Sequence, residues 1–343
     1  MTSELKEDIE MEIALTGDYP YDDSEIWGGV QSVLNNLKKG LSKDGKKVKI
    51  LSGSTEPKHK YEFKNDVVYV KIPKLKLGTA FLSSYPKRIK TVLKKSNFRV
   101  LNCHSLDFAY YGLKYFDDLI FTLHGVTWEE EKYLPFRERI GWHFFYSNRL
   151  KKILKDLNYL VSINPYITDL VKDYTGAKIF EIPNPIPEEY FKLKDRSEDN
   201  RLFYIGVISR RKNLLELIKA LKVVKDKNKD FKLYVAGKVT DRDYFEEIKK
   251  YVSKHNLENE IEFLGMISKE EKFKQLEKMN LLVLPSLQET APMVISEAFA
   301  AGKPVIASDV GGNKYMLGKN KRGLLIDLEY ENDVAEKIIR LIE

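Results

Sequence analysis

Short apolar runs of strand length alternate with helix-period segments from one end of the chain to the other. The strand-like runs of the first half are Glu12–Gly17, Val48–Gly53, Asp66–Ile72, Arg99–Cys103, Leu119–Leu123, Tyr159–Ile163 and Lys178–Ile182. A second series comprises Leu202–Gly206, Lys232–Gly237, Glu260–Leu264, Leu281–Pro285, Pro304–Ala307 and Gly323–Ile326. Between them, Val30, Val33, Leu34, Leu37 and Leu41 recur at the spacing of one helix face. Leu214, Leu217, Ile218 and Leu221 do the same. Strand–helix alternation of this kind predicts mostly parallel sheets covered on both faces.

Two series predict two doubly wound domains. The stretch Glu188–Asn200 is rich in charge and follows the proline cluster Pro183-Asn184-Pro185-Ile186-Pro187. It places the boundary near residue 190, giving domains 1–190 and 191–343. Open α/β sheets bind ligands beyond the carboxyl ends of their strands. The residues that follow each strand are therefore the candidates for chemistry.

The segment after Leu281–Pro285 is the most informative. It reads Gln288-Glu289-Thr290-Ala291-Pro292-Met293-Val294-Ile295-Ser296-Glu297-Ala298-Phe299-Ala300-Ala301-Gly302-Lys303-Pro304-Val305. Pro292 suits a first helical turn, because its missing N–H is not needed there. Gly302 stops the helix and Pro304 opens the next strand. Glu289 then lies on the strand-to-helix loop and Glu297 inside the helix. Free amides near Met293 and Val294, together with the helix dipole, form a site for an anion such as a diphosphate. Two nearby carboxylates can accept hydrogen bonds from sugar hydroxyls.

Glu289 and Glu297, with seven residues between them and EAFAAGKPVIASDVGG completing the run, resemble the signature of retaining glycosyltransferases of family GT4. The resemblance extends in order over most of the chain. It implies the GT-B fold, in which two Rossmann-like domains face a central cleft, and a nucleotide-sugar donor held by the C-terminal half. By that resemblance, Glu289 contacts the hydroxyls of the transferred sugar and Glu297 the ribose hydroxyls. The backbone of Ala291, Pro292, Met293 and Val294 lies against sugar and phosphate. Met266 and Ile267, after Phe263-Leu264-Gly265, are similar to the strand end that reads the base. Gly311 and Gly312 resemble a paired glycine in the family, and a simple turn explains them as well.

The loop Gly206-Val207-Ile208-Ser209-Arg210-Arg211-Lys212 departs from the family pattern. An arginine usually follows the glycine, and a lysine stands five residues further on. Lys212 is in place, but Val207 occupies the arginine position. Arg210 or Arg211 is expected to reach the same phosphate. Such cations match the charge that grows on the leaving group.

In the first half, Trp27-Gly28-Gly29 follows the first strand and opens a helix. Gly28 and Gly29 resemble the glycine loop that approaches the donor phosphate. His124, in Thr122-Leu123-His124-Gly125, matches the family histidine that contacts the sugar near the reaction centre. His104 ends the neighbouring strand and is assigned to the acceptor side. Asn164 and Asn184 are read either as site residues or as caps and turns. Catalysis is thus expected from His124, Glu289 and Lys212.

Charge adds a second theme. The chain carries +7, yet residues 38–99 alone carry +14, so the remainder is −7. This cationic stretch suits a solvated face or an anionic partner such as a phospholipid surface. Phe81, Leu82, Tyr85 and Ile89 are interleaved with lysines; Phe136, Trp142, Phe144, Phe145 and Tyr146 lie in a second basic segment. A membrane headgroup zone and a buried helix both explain that pattern, with burial favoured for Phe144 and Phe145. The acceptor is expected to be a glycan or a lipid-linked hydroxyl, and no nucleic-acid motif is present.

The single cysteine, Cys103, excludes an internal disulfide. The polar start, MTSELKEDIE, is unlike a signal peptide, and no apolar run approaches ~18 residues. The expectation is a cytoplasmic enzyme, peripheral on the inner face of the plasma membrane. No metal or other cofactor is expected, because Asp241-Arg242-Asp243 suits a helix N-cap better than a metal site. Two alternatives stay open: a GT-B binding protein weak in catalysis, motivated by Val207, and a sugar-nucleotide epimerase.

Overall fold

The computed structural model describes residues 9–10, 12–21, 28–73, 84–134, 136–318, 322–330 and 332–342. Trp27, Phe81 and Leu82 lie outside these residues. The chain separates into two compact units, Met1–Pro185 and Ile186–Glu343. The division falls just upstream of the position expected from the charged stretch, so Tyr190 belongs to the second unit.

The strands of the first unit are β1 (Ile9–Glu10), β2 (Ile13–Thr16), β3 (Val48–Ser54), β4 (Tyr61–Lys64), β5 (Val67–Lys71), β6 (Ser96–Asn97), β7 (Val100–Cys103), β8 (Ile120–Leu123), β9 (Tyr159–Ser162) and β10 (Lys178–Glu181). Eight of them form one sheet in the order β10-β9-β8-β7-β2-β3-β5-β4. All neighbours in it are parallel except β4 and β5. The order reverses between β2 and β7, which places the topological switch point beyond Thr16 and Cys103.

Helix Gly29–Lys43 covers one face, burying Val33 and Leu34 while Val30, Leu37 and Leu41 pack beside them. Helix Tyr85–Lys95 buries Tyr85, Ile89, Val92 and Leu93. Tyr85 and Ile89 are therefore core residues, while Lys87 and Lys94 of the same helix are exposed. Phe144 departs from expectation in the opposite sense, being 68% exposed. It lies in the π-helical segment His143–Ser147, whose wider turn moves each following side chain around the helix and buries Ser147 instead.

The second unit contains β11 (Arg201–Ile205), β12 (Lys232–Ala236), β13 (Ile261–Gly265), β14 (Leu281–Leu284), β15 (Val305–Ser308) and β16 (Leu324–Ile326). They form a fully parallel sheet ordered β13-β12-β11-β14-β15-β16. Counted within the unit this is 3-2-1-4-5-6, the Rossmann order. Side chains alternate between two cores. Leu202, Tyr204, Leu233, Val235, Leu281 and Val283 meet helices Leu214–Asp226 and Asp333–Ile342. Phe203, Ala236, Leu282, Leu284, Val305 and Ala307 meet Tyr190, Ile295 and Ala298 on the other face. Sheets buried on both sides require such near-continuous apolar strands. The switch point lies between β11 and β14. The loops 206–212 and 285–292, singled out from the sequence, both leave the sheet there.

Candidate active site

Helix Met293–Ala300 begins after Pro292, whose φ of −64° and ψ of 117° turn the chain into the first turn. The amide of Ile295 donates to Pro292 O, while among the described residues no backbone acceptor faces the amides of Met293 and Val294. An N-terminus in this state is open to an anion. Glu289 and Glu297 flank it and are only 5% exposed each. Buried carboxylates require partners.

Glu289 finds one partner in the loop after β11 and another in its own loop. Lys212 Nζ lies 2.5 Å from Glu289 Oε1, and Ser286 Oγ donates to the same oxygen at 2.7 Å. Glu297 is held in a parallel way. Tyr190 Oη donates to Glu297 Oε1 at 2.9 Å, and Lys272 Nζ does so at 2.8 Å. Burial, and then the adjacent Glu297 carboxylate, push the Tyr190 hydroxyl well above its usual range, so it stays a donor. In both glutamates Oε1 carries the internal bonds. Oε2 makes no hydrogen bond among the described residues, leaving one acceptor oxygen on each for a ligand hydroxyl.

The basic loop divides. Arg211 donates to Gln288 O at 3.0 Å and to Gln288 Oε1 at 2.9 Å, beside the Lys212–Glu289 pair. Arg210 instead donates to Glu247 at 2.9 Å and lies near Asp241 and the Tyr244 ring. The structure thus brings Lys212 to Glu289 and Arg211 to the adjacent Gln288, and leaves Arg210 outside. Asp241 caps helix Arg242–Lys254 by accepting from Tyr244 N, the capping role expected of it. Val207 is 37% exposed and carries no charge to this loop.

Two glycines shape the same floor. A Cβ at Gly206 would make an ordinary contact with the Tyr204 hydroxyl, 3.7 Å away. Gly237 has φ +147°, and a Cβ there would lie 1.8 Å from Gly206 O. Sequence reasoning recorded Gly237 only as a strand end; its signal was a glycine closing a buried strand. Gly265 has φ +65°, and it turns the chain so that Met266 is 48% exposed while Ile267 packs on the core. Gly311 also has positive φ, and Gly312 N donates to Glu289 O at 3.1 Å. The paired glycines therefore fix the backbone of the glutamate loop.

Tyr190 and Lys272 were missed from sequence. Tyr190 looked like linker and lies 107 positions from its partner. Only the fold brings them together.

In the first unit Gly28 precedes helix Gly29–Lys43, and its amide donates to Gln31 Oε1 at 3.1 Å. His104 and His124 end the adjacent strands β7 and β8. Their rings stack 5.0 Å apart, with His104 Nδ1 2.7 Å from His124 Nε2. Burial keeps both rings neutral: it lowers the His104 pKa and brings that of His124 to about 4. Asn164 caps helix Pro165–Val171 by accepting from Ile167 N at 3.1 Å. A polar hollow of about 630 Å³ opens beyond β2 and β3, lined by Asp18, Tyr19, Tyr21, Ser54 and Glu56 among others. No group of three or more potential metal ligands occurs among the described residues.

Residues 185–343 match the family Glycosyl transferases group 1, and residues 27–190 match Glycosyltransferase Family 4. Together the two matches run through both units. The chain belongs to glycosyltransferase family 4. Among relatives of this glycosyltransferase, one from Methanocaldococcus jannaschii is 27% identical over 331 residues, spanning 94% of this chain and 86% of that one. The poly(ribitol-phosphate) alpha-N-acetylglucosaminyltransferase of Staphylococcus aureus is 29% identical over 180 residues, spanning 51% of this chain and 34% of that one. The fold is GT-B. Sucrose-phosphate synthase from Thermosynechococcus elongatus superposes with TM-score 0.78 at 21% identity, covering 97% of this chain and 90% of that one. Anabaena HepE, solved in complex with UDP and glucose, superposes with TM-score 0.72 at 16% identity over the same shares. Among the described residues, no helix of this glycosyltransferase is long and apolar enough to cross a membrane.

Proposed function

We propose that the C-terminal unit binds a UDP- or GDP-linked hexose and that the enzyme transfers the hexosyl group, with retention, to a hydroxyl of a glycan or lipid-linked acceptor. The observation that carries this reading is the pair of buried glutamates flanking an open helix N-terminus at the Rossmann switch point, each with one oxygen tied and one free. Glu297 Oε2 takes the ribose hydroxyls and Glu289 Oε2 the hydroxyls of the sugar. Lys212 and Arg211, with the amides of Met293 and Val294, take the diphosphate. Met266 and Ile267 offer backbone to the base. In the N-terminal unit, Gly28 and Gly29 are read as backbone suited to a phosphate and His124 as a donor to a sugar hydroxyl.

The bond from the anomeric carbon to the phosphate oxygen breaks, and its electron pair stays on the diphosphate. The acceptor oxygen forms the new bond on the same face of the sugar. Its proton passes to the departing phosphate, so no separate carboxylate base is required. The cations match the charge that grows on the diphosphate as the bond lengthens. Lys39, Lys43, Lys46, Lys47, Lys58, Lys60 and Lys64 are all exposed and form the cationic part of the first unit. Exposed lysines of this kind suit an anionic membrane surface carrying the acceptor, on the cytoplasmic side where sugar nucleotides are made.

Slow hydrolysis of the donor tests the reading without the natural acceptor. UDP-glucose, UDP-N-acetylglucosamine and GDP-mannose are incubated with the enzyme, and the freed sugar is followed by proton NMR before it mutarotates. The expected product is nucleoside diphosphate plus sugar in the donor's own anomeric configuration. Inverted sugar would overturn retention. Conversion of the donor to an isomeric sugar nucleotide would identify an epimerase.

A further inference from the structure

His104 and His124 form a bonded pair, and the other ring nitrogen of His104 lies enclosed. His104 is 7% exposed, and its Nε2 is buried with no hydrogen-bond partner among the described residues. Its backbone is fixed, because His104 N donates to Thr16 O at 2.7 Å. A Cβ at Gly17 would lie 2.6 Å from Leu34 Cδ1 and 3.4 Å from His104 Cβ, so the glycine makes room for Leu34 beside the histidine.

These facts select a tautomer. One neutral imidazole must donate across the 2.7 Å contact and the other accept. If His124 Nε2–H donated, His104 would carry its proton on Nε2, leaving a buried N–H without an acceptor. If His104 Nδ1–H donates, the unpartnered His104 Nε2 is only a lone pair. A buried orphan donor is the rarer and costlier state. His124 then accepts at Nε2 and must carry its own proton on Nδ1.

We propose that His104 is a positioning residue for His124: it holds the His124 ring in place and fixes it as the Nδ1–H tautomer. His124 thereby presents a neutral N–H donor from Nδ1, suited to a sugar hydroxyl oxygen, and keeps Nε2 out of the reaction. This rests on the reading of His124 as the sugar contact. It replaces the acceptor-side role expected of His104 from sequence. His104 acts through its neighbour and touches no substrate.

Long-range proton–nitrogen NMR of histidine-labelled enzyme reads the tautomer directly, and the chain has only five histidines to assign. Wild type is expected to show the His124 proton on Nδ1. In His104→Phe, which keeps a ring but has no donor, the proton moves towards Nε2. Donor hydrolysis slows roughly tenfold in kcat, the size of one misdirected hydrogen bond, with the donor KM unchanged. His104→Asn recovers both readouts, because its amide N–H occupies the Nδ1 position. His104→Gln does not, because its amide reaches the Nε2 position; it replaces His104→Phe in the contrast should that variant not fold. An Nδ1–H tautomer that persists in His104→Phe or His104→Gln would overturn the proposal. So would a His104→Asn enzyme that folds normally and stays as impaired as His104→Gln. The tautomer is read without any donor, so failure of hydrolysis alone counts against the functional reading and not against the pair.

Discussion

Lys212→Ala is expected to lower donor turnover by roughly a hundred- to a thousandfold, the cost of removing one preorganised group from a developing anion. Three observations concentrate the effect on this residue. The position that supplies an arginine in the family is Val207. Arg210 is occupied by Glu247, at 2.9 Å. Lys212 is then the cation of this loop that the fold brings to Glu289, with Arg211 on the adjacent Gln288, and the side chain of Lys212 is 14% exposed, shielded from competing water. Arg210→Ala is expected to leave turnover within about twofold, as exposed pairs contribute little. Both are checked by steady-state release of nucleoside diphosphate, with circular dichroism confirming that each variant folds. Equal losses from Arg210→Ala and Lys212→Ala would show that the charge is supplied differently.

Gly237→Ala is expected to destabilise the C-terminal unit by about 3 kcal/mol or more. The added Cβ has no room, since Gly206 O stands 1.8 Å from its ideal position and the φ of +147° belongs to glycine. Relief means separating β11 from β12 at their carboxyl ends, where Gly206 N donates to Ala236 O at 3.0 Å. For a unit of this size the melting temperature falls by roughly 10 °C. Gly40→Ala is the contrast. It lies inside helix Gly29–Lys43 with nothing within 4 Å of its Cβ, so it should stabilise by about 0.5–1 kcal/mol. Differential scanning calorimetry checks both signs.

Most of the architecture was legible because apolar periodicity reports burial, and both sheets are buried on two faces. The expected strand Lys232–Gly237 is found as Lys232–Ala236, and Leu281–Pro285 as Leu281–Leu284. Strand β4, Tyr61–Lys64, was not anticipated, because it is short and only Tyr61 is buried, with Phe63 and Lys64 both exposed. The turn at Asn65, with φ 52°, was the available signal for that hairpin. The placement of Glu289 and Lys212 in loops after strand ends, and of Glu297 inside the following helix, was legible from the motif around them. Their partners were not. Ser286 lies close in sequence to Glu289, but Tyr190, Lys272 and the bond between the two histidines depend on which strands the fold makes neighbours. Arg210 and Arg211 are adjacent in sequence and indistinguishable by composition. The 3-10 turn Arg210–Lys212 sends one towards Glu247 and the other towards Gln288.

A nucleoside diphosphate is expected to bind the C-terminal unit with its ribose on the buried Glu297. Calorimetric titration of UDP, GDP and ADP into the wild-type enzyme and into Glu297→Ala tests it most directly. Micromolar binding of one of the three, weakened at least about thirtyfold by the substitution, is the predicted result, since a charged hydrogen-bond acceptor for the ribose is lost. No heat from any diphosphate with the folded wild type, or affinity untouched in Glu297→Ala, would contradict the account.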